Sequence, residues 1–355
     1  MRAARCRRSW AVALPPCLAS SRGGKGVQTS TRARLSAYVE PGRAGLILWL
    51  VSADVSVIVA SHNTRAYLEH CLRLLGESQE VIVVDTLSTD GSRELVRDQF
   101  PHVRLVALDA NPGYGGALNR GIALASGAYL LLMNGDAWPE EGAVERLVSF
   151  AESEARAGIV GPRLVNPDGT LQPSVRGFPT LWRLTTEYLF LRWLAPRSRL
   201  LNAFYGAGFD HRSQRDVEFL VGAVLLARRA LLDEIGGFDE RFFMFNEEVD
   251  LCRRTRAAGW RVVFWPEAVF AHVGGGSTAA AWPQMYREQL RSHLLFLDKY
   301  GGAGQADRAR RLLRLAMRLR TVVFRLVGHQ ARSRLSRDAA AWLDSGDARS
   351  LIRSA

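Results

Sequence analysis

Lysine is almost missing from this chain. Of 47 basic side chains only Lys25 and Lys299 are not arginine, a bias we read as GC-rich coding rather than a demand for guanidinium chemistry. Cysteine is sparse as well. Cys6, Cys17, Cys71 and Cys252 stand in neither paired nor metal-type spacing, which argues against a disulfide framework or a cysteine-held metal and makes a reducing cytosol the simplest compartment. No apolar run approaches the roughly 20 residues of a bilayer-spanning helix, and GLILWLV at 45–51 is far too short. Acidic residues are absent from positions 1–39, and the chain has no internal repeat and no long low-complexity tract.

What is present describes a globular protein. With 48% hydrophobic and 23% charged residues over 355 positions, the chain can bury a full core as one large domain, or as one domain plus an appendage. The net charge of +12 favours anionic partners such as phosphates, acidic lipid headgroups or nucleic acid. That charge sits at the ends, in the acid-free N-terminus and in the arginine-rich stretch 308–337. Residues 1–50 mix Arg, Ser, Gly and Pro without periodicity. They read as a transit-like peptide, a disordered arm or an extension upstream of the true start; we expect the last, with no catalytic role. Because the first convincing strand begins at Val55, the expected division is an extension over 1–53, a main domain over 54–300 and a basic helical tail over 301–355.

From Asp54 the pattern alternates. Apolar runs at 55–60 (VSVIVA), 81–84 (VIVV), 103–107 and 129–133 (YLLLM) predict buried strands, and helical periodicity at 64–75, 91–99, 116–125 and 140–151 fills the intervals. This is the signature of βαβ units and a mostly parallel sheet, whose carboxyl edge is where open α/β sheets bind ligands. Farther on, 159–165, the turn NPDG and 171–176 predict a hairpin. The aromatic and basic stretch 181–205 reads as a mobile flap or docking surface. Strands return at 219–227 and 261–265, around a helix over 247–258 closed by Gly259. Residues 308–327 are the most amphipathic segment, with Arg311, Arg314, Arg318 and Arg325 at helical spacing and Leu312, Leu315, Leu319, Val322 and Leu326 on another face.

The densest chemistry lies between 219 and 277. Asn246-Glu247-Glu248-Val249-Asp250 places three carboxylates within four positions, and like charges this close need solvent, a cation or a proton donor. Phe242, Phe243 and Phe245 precede them and apolar strands follow, which suggests a pocket wall and makes the cluster a candidate reaction centre. His272 follows strand-like 268–271 and precedes Gly274, Gly275 and Gly276. A lone histidine is usually structural, but its setting favours a metal ligand here. One carboxylate, one imidazole and phosphate oxygens would suit Mn²⁺ or Mg²⁺, with the nitrogen favouring Mn²⁺. Asp85 directly follows the second strand and is placed to receive a ring N–H or a ribose hydroxyl, whereas Asp90 and Ser92 read better as helix caps. The turn from Asn111 through Gly113, Tyr114, Gly115 and Gly116 to Asn119 can bring backbone amides to a ribose or phosphate, or can be a plain turn and cap. Asn134-Gly135-Asp136 ends a buried strand, where Asp136 either holds a divalent metal bridging phosphates or simply makes the turn.

In this order the pieces resemble the family 2 glycosyltransferases of GT-A fold, in particular the rhamnosyltransferase-like branch. The likeness covers about residues 54–300. It rests on VSVIVASHN, VVDTLSTDGS, NPGYGGALNRGI, MNGDAW, GPRLVNPDGTLQPS, VGAVLLARRALLDEIGGFDERFFMFNEEVDLCRR and GWRVVFWPEAVFAHVGGGS. The resemblance implies an α/β fold with a Rossmann-like, mostly parallel sheet flanked by helices and followed by the C-terminal amphipathic helix. It implies nucleotide-sugar contacts from Ser61, His62, Asn63, Asp85, Asn111, Gly113, Asn119, Asn134 and Asp136. Among these, Asp85 would read the base and His62 would stand where an aromatic stacks on it. Asp136 and His272 would hold the divalent Mn²⁺ or Mg²⁺. Glu248 falls at the general-base position, with Glu247 and Asp250 as further catalytic candidates. Three positions depart from the family pattern: Asn134 replaces the first acid of the DXD motif, Thr86 a frequent Asn, and Glu248 the usual Asp.

The implied reaction is inverting transfer of a sugar from a nucleoside-diphosphate sugar to a hydroxyl of a cell-envelope or polysaccharide acceptor, lipid-linked or growing, with dTDP-rhamnose as the donor the branch suggests. The metal would stabilise the diphosphate leaving group and a carboxylate would take the acceptor proton. The implied location is cytoplasmic, peripheral on the inner membrane through the amphipathic tail. The rival readings are weaker. A nicotinamide-dependent dehydrogenase needs a glycine fingerprint after the first strand, where Ala60-Ser61-His62-Asn63 stands instead. A nucleic-acid partner is not expected, since no binding module is recognisable. A non-catalytic sugar-nucleotide binder is the alternative that the Asn134 and Glu248 departures keep open.

Overall fold

The computed structural model describes residues 55–352 apart from 78, 207 and 276–280. The extension expected over 1–53 and Gly276 of the glycine run therefore lie outside the described residues. In chain order the first half runs β1 (Val55–Ser61), α1 (Arg65–Leu75), β2 (Glu80–Thr86), α2 (Ser92–Gln99), β3 (Arg104–Leu108), α3 (Gly113–Ile122), β4 (Tyr129–Asn134), β5 (Ala137–Pro139) and α4 (Ala143–Ser153). Then come β6 (Ala157–Val165), β7 (Leu171–Gln172), β8 (Val175–Arg176), α5 (Leu181–Tyr188), β9 (Arg215–Asp216), β10 (Phe219–Leu220), β11 (Val224–Arg228), α6 (Arg229–Ile235), α7 (Glu247–Ala257) and β12 (Arg261–His272). The helices α8 (Trp282–Leu326), α9 (Gln330–Asp344) and α10 (Gly346–Ser350) finish the chain.

The main sheet has the order β3-β2-β1-β4-β11-β6-β12-β5, with β7 beside β6 and β9 beside β12. β1 is parallel to β2 and β4, and β2 to β3. β11 is antiparallel to both β4 and β6, which returns β6 and its parallel neighbour β12 to the direction of β4. Six strands thus point the same way, and their carboxyl ends form one edge. The expected hairpin forms between β6 and β7, but β8 leaves it to pair with β10 in a separate small sheet.

Both sheet faces are covered, which is why the strands read as unbroken apolar runs. Val57 and Val59 pack with Leu68, Leu72, Leu147 and Val148 on one face. Ile58 points the other way, among Ile82, Leu118, Leu132, Phe242 and Phe264. The α1 face follows helical spacing, burying Leu68, Cys71, Leu72 and Leu75.

One expectation changes. The stretch 181–205 is no loose flap, because Leu184 and Tyr188 of α5 are buried against Leu290, Leu294, Leu313 and Met317. In α8, which breaks at Gly302 (φ 75°), the packed face is Ala309, Leu313, Ala316, Met317 and Phe324. The stripe Leu315, Leu319, Val322 and Leu326 faces solvent, exposed by 45–80%, the orientation a surface contact of the amphipathic helix requires. The inner face does not stand out by hydrophobic periodicity because it includes two long polar side chains. Arg310 is satisfied on the Leu343 carbonyl at 2.9 Å, and Arg320 stacks over Phe190 at 4.5 Å.

Candidate active site

Strand register gathers the polar side chains. Ser61 pairs with Asp85 and Ala60 with Asn134, so the ends of β1, β2 and β4 stand side by side. Past Asn134 the chain turns under β1, with the Gly135 N–H donating to the Ala60 carbonyl at 3.0 Å. β5 then pairs with the end of β12, Ala137 opposite His272. This brings His272 Nε2 to 3.4 Å from Asp136 Oδ1 and 3.1 Å from Asn134 Nδ2. Both Asp136 and His272 are buried.

The His272 ring is oriented by Gln172. Its Nδ1–H donates to Gln172 Oε1 at 2.7 Å, and the Gln172 amide is itself anchored on Asn166 Oδ1 and the His272 carbonyl. That bond leaves the Nε2 lone pair toward Asn134 and Asp136, the tautomer a metal-ligating imidazole requires. Among the described residues no three His, Cys, Asp or Glu side chains form a complete metal cage. Asp136 and His272 are two donors of suitable chemistry for Mn²⁺ or Mg²⁺, with the remaining positions left to ligand oxygens and water.

On the other flank Asp85 is fully buried. Its Oδ1 accepts from Arg93 Nε at 2.5 Å and from the Ser88 N–H at 3.0 Å, while Oδ2 has no partner. A buried carboxylate oxygen without a donor costs free energy unless a ligand supplies one, and a base N–H or ribose hydroxyl would. Beside it, His62 Nδ1–H donates to the Thr86 carbonyl. Asn63 takes a left-handed conformation (φ 52°) and ties the β1–α1 loop to the Thr89 N–H at 2.8 Å.

Several residues expected to contact a ligand are also engaged within the fold. The Ser61 hydroxyl is buried against Thr64 Oγ1 at 3.0 Å, because it points below the edge. Gly113 (φ 82°) is a glycine because a Cβ would strike the Phe243 carbonyl, to which the Tyr114 N–H donates at 3.0 Å. Asn111 Oδ1 accepts from the Gly113 N–H at 2.9 Å and so shapes the turn. Both ends of the Asn119 amide are bound to the Phe238 backbone, with Glu240 as a further acceptor. The glycine-rich turn is thus a clamp on the segment that carries the acids. The N-cap of α2 is Gly91 rather than the expected Asp90 or Ser92; Asp90 instead joins two helix starts, accepting from the Arg65 and Ser92 N–H groups.

The three acids part company at the start of α7. Phe245 and Asn246 are consecutive left-handed residues (φ 66° and 64°), a conformation that costs about 1–2 kcal/mol for each non-glycine. α8 holds them there. Asn246 Nδ2 donates to His293 Nδ1 at 3.0 Å, and Ser292 Oγ donates to the Met244 carbonyl at 2.9 Å. Burial pushes His293 down to about 4, so it stays a neutral acceptor.

Asp250 is a correction. It is sealed from solvent and accepts from Lys299 Nζ at 2.5 Å, Tyr300 OH at 2.7 Å and Arg254 Nε at 2.7 Å, which makes it an anchor between α7 and α8 rather than a reacting group. Arg254 is turned inward by the same network, and Arg253 stacks on Tyr300 at 4.1 Å. Glu247 is buried, and that burial, reinforced by the Glu248 and Glu288 charges, lifts its pKa well above the ordinary carboxylate range. Glu248 is the one acid of the three with partial exposure. Burial raises its pKa too, and the Arg176 charge opposes the rise. A Cβ at Gly222 would lie 3.2 Å from the Glu248 Cβ, and the next residue, Ala223, accepts from the Asn134 N–H at 3.0 Å. The acid therefore borders the strand-end edge. Tyr114 OH donates to the Gly222 carbonyl at 2.5 Å, and burial, then Glu247, Glu248 and Asp136, raise its pKa.

Gln172, Tyr114, His293 and Arg93 have no local signature that announces these roles. Lys299 did carry one, as a rare lysine in an arginine-rich chain.

The arrangement suits a nucleotide-bearing ligand at Asp85, a divalent cation at Asp136 and His272, and proton abstraction at Glu248. Comparison with known proteins agrees on the class. Residues 56–236 match the family model described as Glycosyl transferase family 2. The chain is 33% identical over 262 residues, 69% of its length and 85% of the relative's, to the N-acetylglucosaminyl-diphospho-decaprenol L-rhamnosyltransferase of Mycobacterium tuberculosis. It is 30% identical to the succinoglycan biosynthesis protein ExoO of Rhizobium meliloti, over 63% of this chain and 62% of that one. Among solved structures, the mannosyltransferase PcManGT from Pyrobaculum calidifontis, in complex with GDP-Man and Mn²⁺, overlaps 82% of this chain and 88% of its own at 17% identity and a TM-score of 0.48. By the family model and the mycobacterial relative, this chain belongs to glycosyl transferase family 2 and is a glycosyltransferase.

Proposed function

We propose that the enzyme transfers a sugar, with inversion, from a nucleoside-diphosphate donor to a hydroxyl of a lipid-linked cell-envelope glycan. The observation that carries this reading is the sorting of the acids: of the three residues only Glu248 is partly exposed, it borders the donor edge, and its buried Oε2 has no hydrogen-bond partner. In the reaction Glu248 takes the proton of the acceptor hydroxyl as that oxygen attacks the anomeric carbon and the bond to the diphosphate breaks. A single displacement inverts the centre. Asp85 reads the base, with His62 beside it. Asp136 and His272 would hold a divalent metal, which when bound neutralises charge on the departing diphosphate. Gln172 keeps the His272 Nε2 facing that position.

The mycobacterial relative is named for rhamnosyl transfer to a diphospho-decaprenol-linked sugar, which supports dTDP-rhamnose as donor and a polyprenyl-diphosphate-linked acceptor here. Among the described residues no helix is long and apolar enough to cross a membrane. The exposed stripe Leu315, Leu319, Val322 and Leu326 lies on the same helix as exposed Arg311 and Arg318, a combination that suits peripheral contact with an anionic bilayer from the cytoplasmic side.

Thermal stabilisation by a panel of nucleoside diphosphates, with and without Mn²⁺, tests the donor site; no metal-dependent shift with any of them would sink it. Glu248→Gln should retain donor binding and lose about 10²–10⁴-fold in transfer, the usual contribution of a general base. Retained turnover would move the base to Glu247.

A further inference from the structure

Beside α7 lies a cavity of about 330 Å³ whose lining includes Arg176, Arg183, Arg199, Arg215 and Arg256. The volume is at the lower end of the roughly 300–1,000 Å³ of small-molecule sites. Two acids also line it, but both are already paired: Glu218 with Arg183 at 2.6 Å, and Asp216 with Arg261 at 2.8 Å. Arg176, Arg199, Arg215 and Arg256 have no acid partner within ion-pair distance among the described residues. Arg176 Nε is buried without any hydrogen-bond acceptor. Arg215 lies over the Phe209 ring at 5.1 Å, and Arg256 is held by the Val217 carbonyl at 2.7 Å. Four guanidinium groups kept together with no carboxylate paired to them form a built anion site, and arginine's planar fork suits phosphate oxygens.

The position of the cavity narrows the ligand. Arg176, on its lining, carries a charge that opposes the rise in the Glu248 pKa. Arg256, also on its lining, is eight residues along α7 from Glu248, or about 12 Å at 1.5 Å per residue. A sugar with its hydroxyl at Glu248 and a diphosphate at its far end, met by the long Arg256 side chain, would span that distance. None of the donor-edge residues Asp85, Asp136 and His272 lines the cavity, so it is separate from the place proposed for the donor diphosphate.

We propose that this arginine-lined cavity binds the phosphate or diphosphate group of the acceptor, and so selects acceptors that carry one. The proposal rests on the glycosyltransferase reading above and adds the residues that would recognise the acceptor's diphosphate.

The test measures binding by calorimetry to the full-length protein in metal-free buffer, with farnesyl diphosphate, inorganic pyrophosphate and farnesol as probes. Farnesyl diphosphate should bind and farnesol should not. The double variant Arg215→Ser/Arg256→Ser should weaken farnesyl diphosphate by at least about tenfold, since each charge-assisted contact is worth roughly that factor. Arg334→Ser/Arg337→Ser, an equal loss of charge in the C-terminal region, should leave the affinity unchanged. If the double serine variant fails to fold, as judged by lost dTDP binding, Arg215→Lys/Arg256→Lys replaces it and should weaken binding by removing the fork while keeping the charge. Unchanged affinity in the cavity variant, equal losses in both double variants, or no binding by the parent protein would each overturn the proposal. So would binding of pyrophosphate but not farnesyl diphosphate, which would make the cavity a site for a free anion. Failure of the metal-dependent nucleotide shift would instead overturn the donor reading, whatever the prenyl diphosphate does.

Discussion

Replacing Asp250 by asparagine separates an anchoring role from a catalytic one. The carboxylate is sealed from solvent and faces two cations and a phenol: Lys299 at 2.5 Å, Arg254 at 2.7 Å and Tyr300 at 2.7 Å. Asparagine keeps the volume but removes the charge, and it turns an N–H₂ group toward a cation. Removing one member of a buried ion pair costs about 3–5 kcal/mol. Lys299 and Arg254 keep 22% and 20% exposure and can partly rehydrate, which places the expected loss near the lower end, about 3 kcal/mol. At about 2–4 °C per kcal/mol, the melting temperature should fall by about 6–12 °C. Differential scanning fluorimetry reads that fall, and urea titration should show a lower midpoint with an unchanged slope. Transfer rate per folded molecule, measured well below the transition, should stay within a few-fold of the parent. A melting temperature within about 2 °C of the parent, together with a loss of turnover of about a hundredfold or more, would refute the anchoring argument and return Asp250 to the reaction.

Other expectations follow from the same geometry. Glu247 has a folded pKa above its unfolded value, so the native state binds more protons and loses stability as pH rises from the ordinary carboxylate range through the raised value. Glu247→Gln mimics the neutral form, so its stability relative to the parent should climb between pH 5 and pH 8 in parallel urea titrations; a constant difference would show that Glu247 is not held neutral. Gln172→Ala removes the bond that fixes the His272 tautomer and should weaken Mn²⁺ dependence of nucleotide binding by about 10–100-fold, read by titration calorimetry. Gly113→Ala puts a Cβ into the Phe243 carbonyl at a left-handed position, so it should destabilise by more than the 1–2 kcal/mol or so of the backbone term alone. A loss below about 1 kcal/mol by chemical denaturation would mean the turn is looser than the structure shows.

The sequence by itself determined the alternation of buried strands and helices, the shared edge at the strand ends and the family resemblance. These are local properties. A run such as EVIVVDT can only be a strand covered on both faces, and motifs keep their order along the chain whatever their separation in space. It also singled out His272 and Asp136 as partners, although 136 positions separate them. Tertiary structure alone decided how the three acids are surrounded. The resemblance set Glu248 at the general-base position but said nothing of the acids' partners: Lys299 and Tyr300 of α8 reach Asp250, while Glu248 stands beside Gly222 at the strand-end edge. The same holds for Gly113 and Asn119, whose side of the turn meets Phe238 and Phe243 rather than a ligand. It holds as well for the α8 stripe, where packing against α9 and α5 buried arginines and left leucines outside. Burial and partners come from contacts between residues tens to more than a hundred positions apart, and a linear pattern holds no record of those distances.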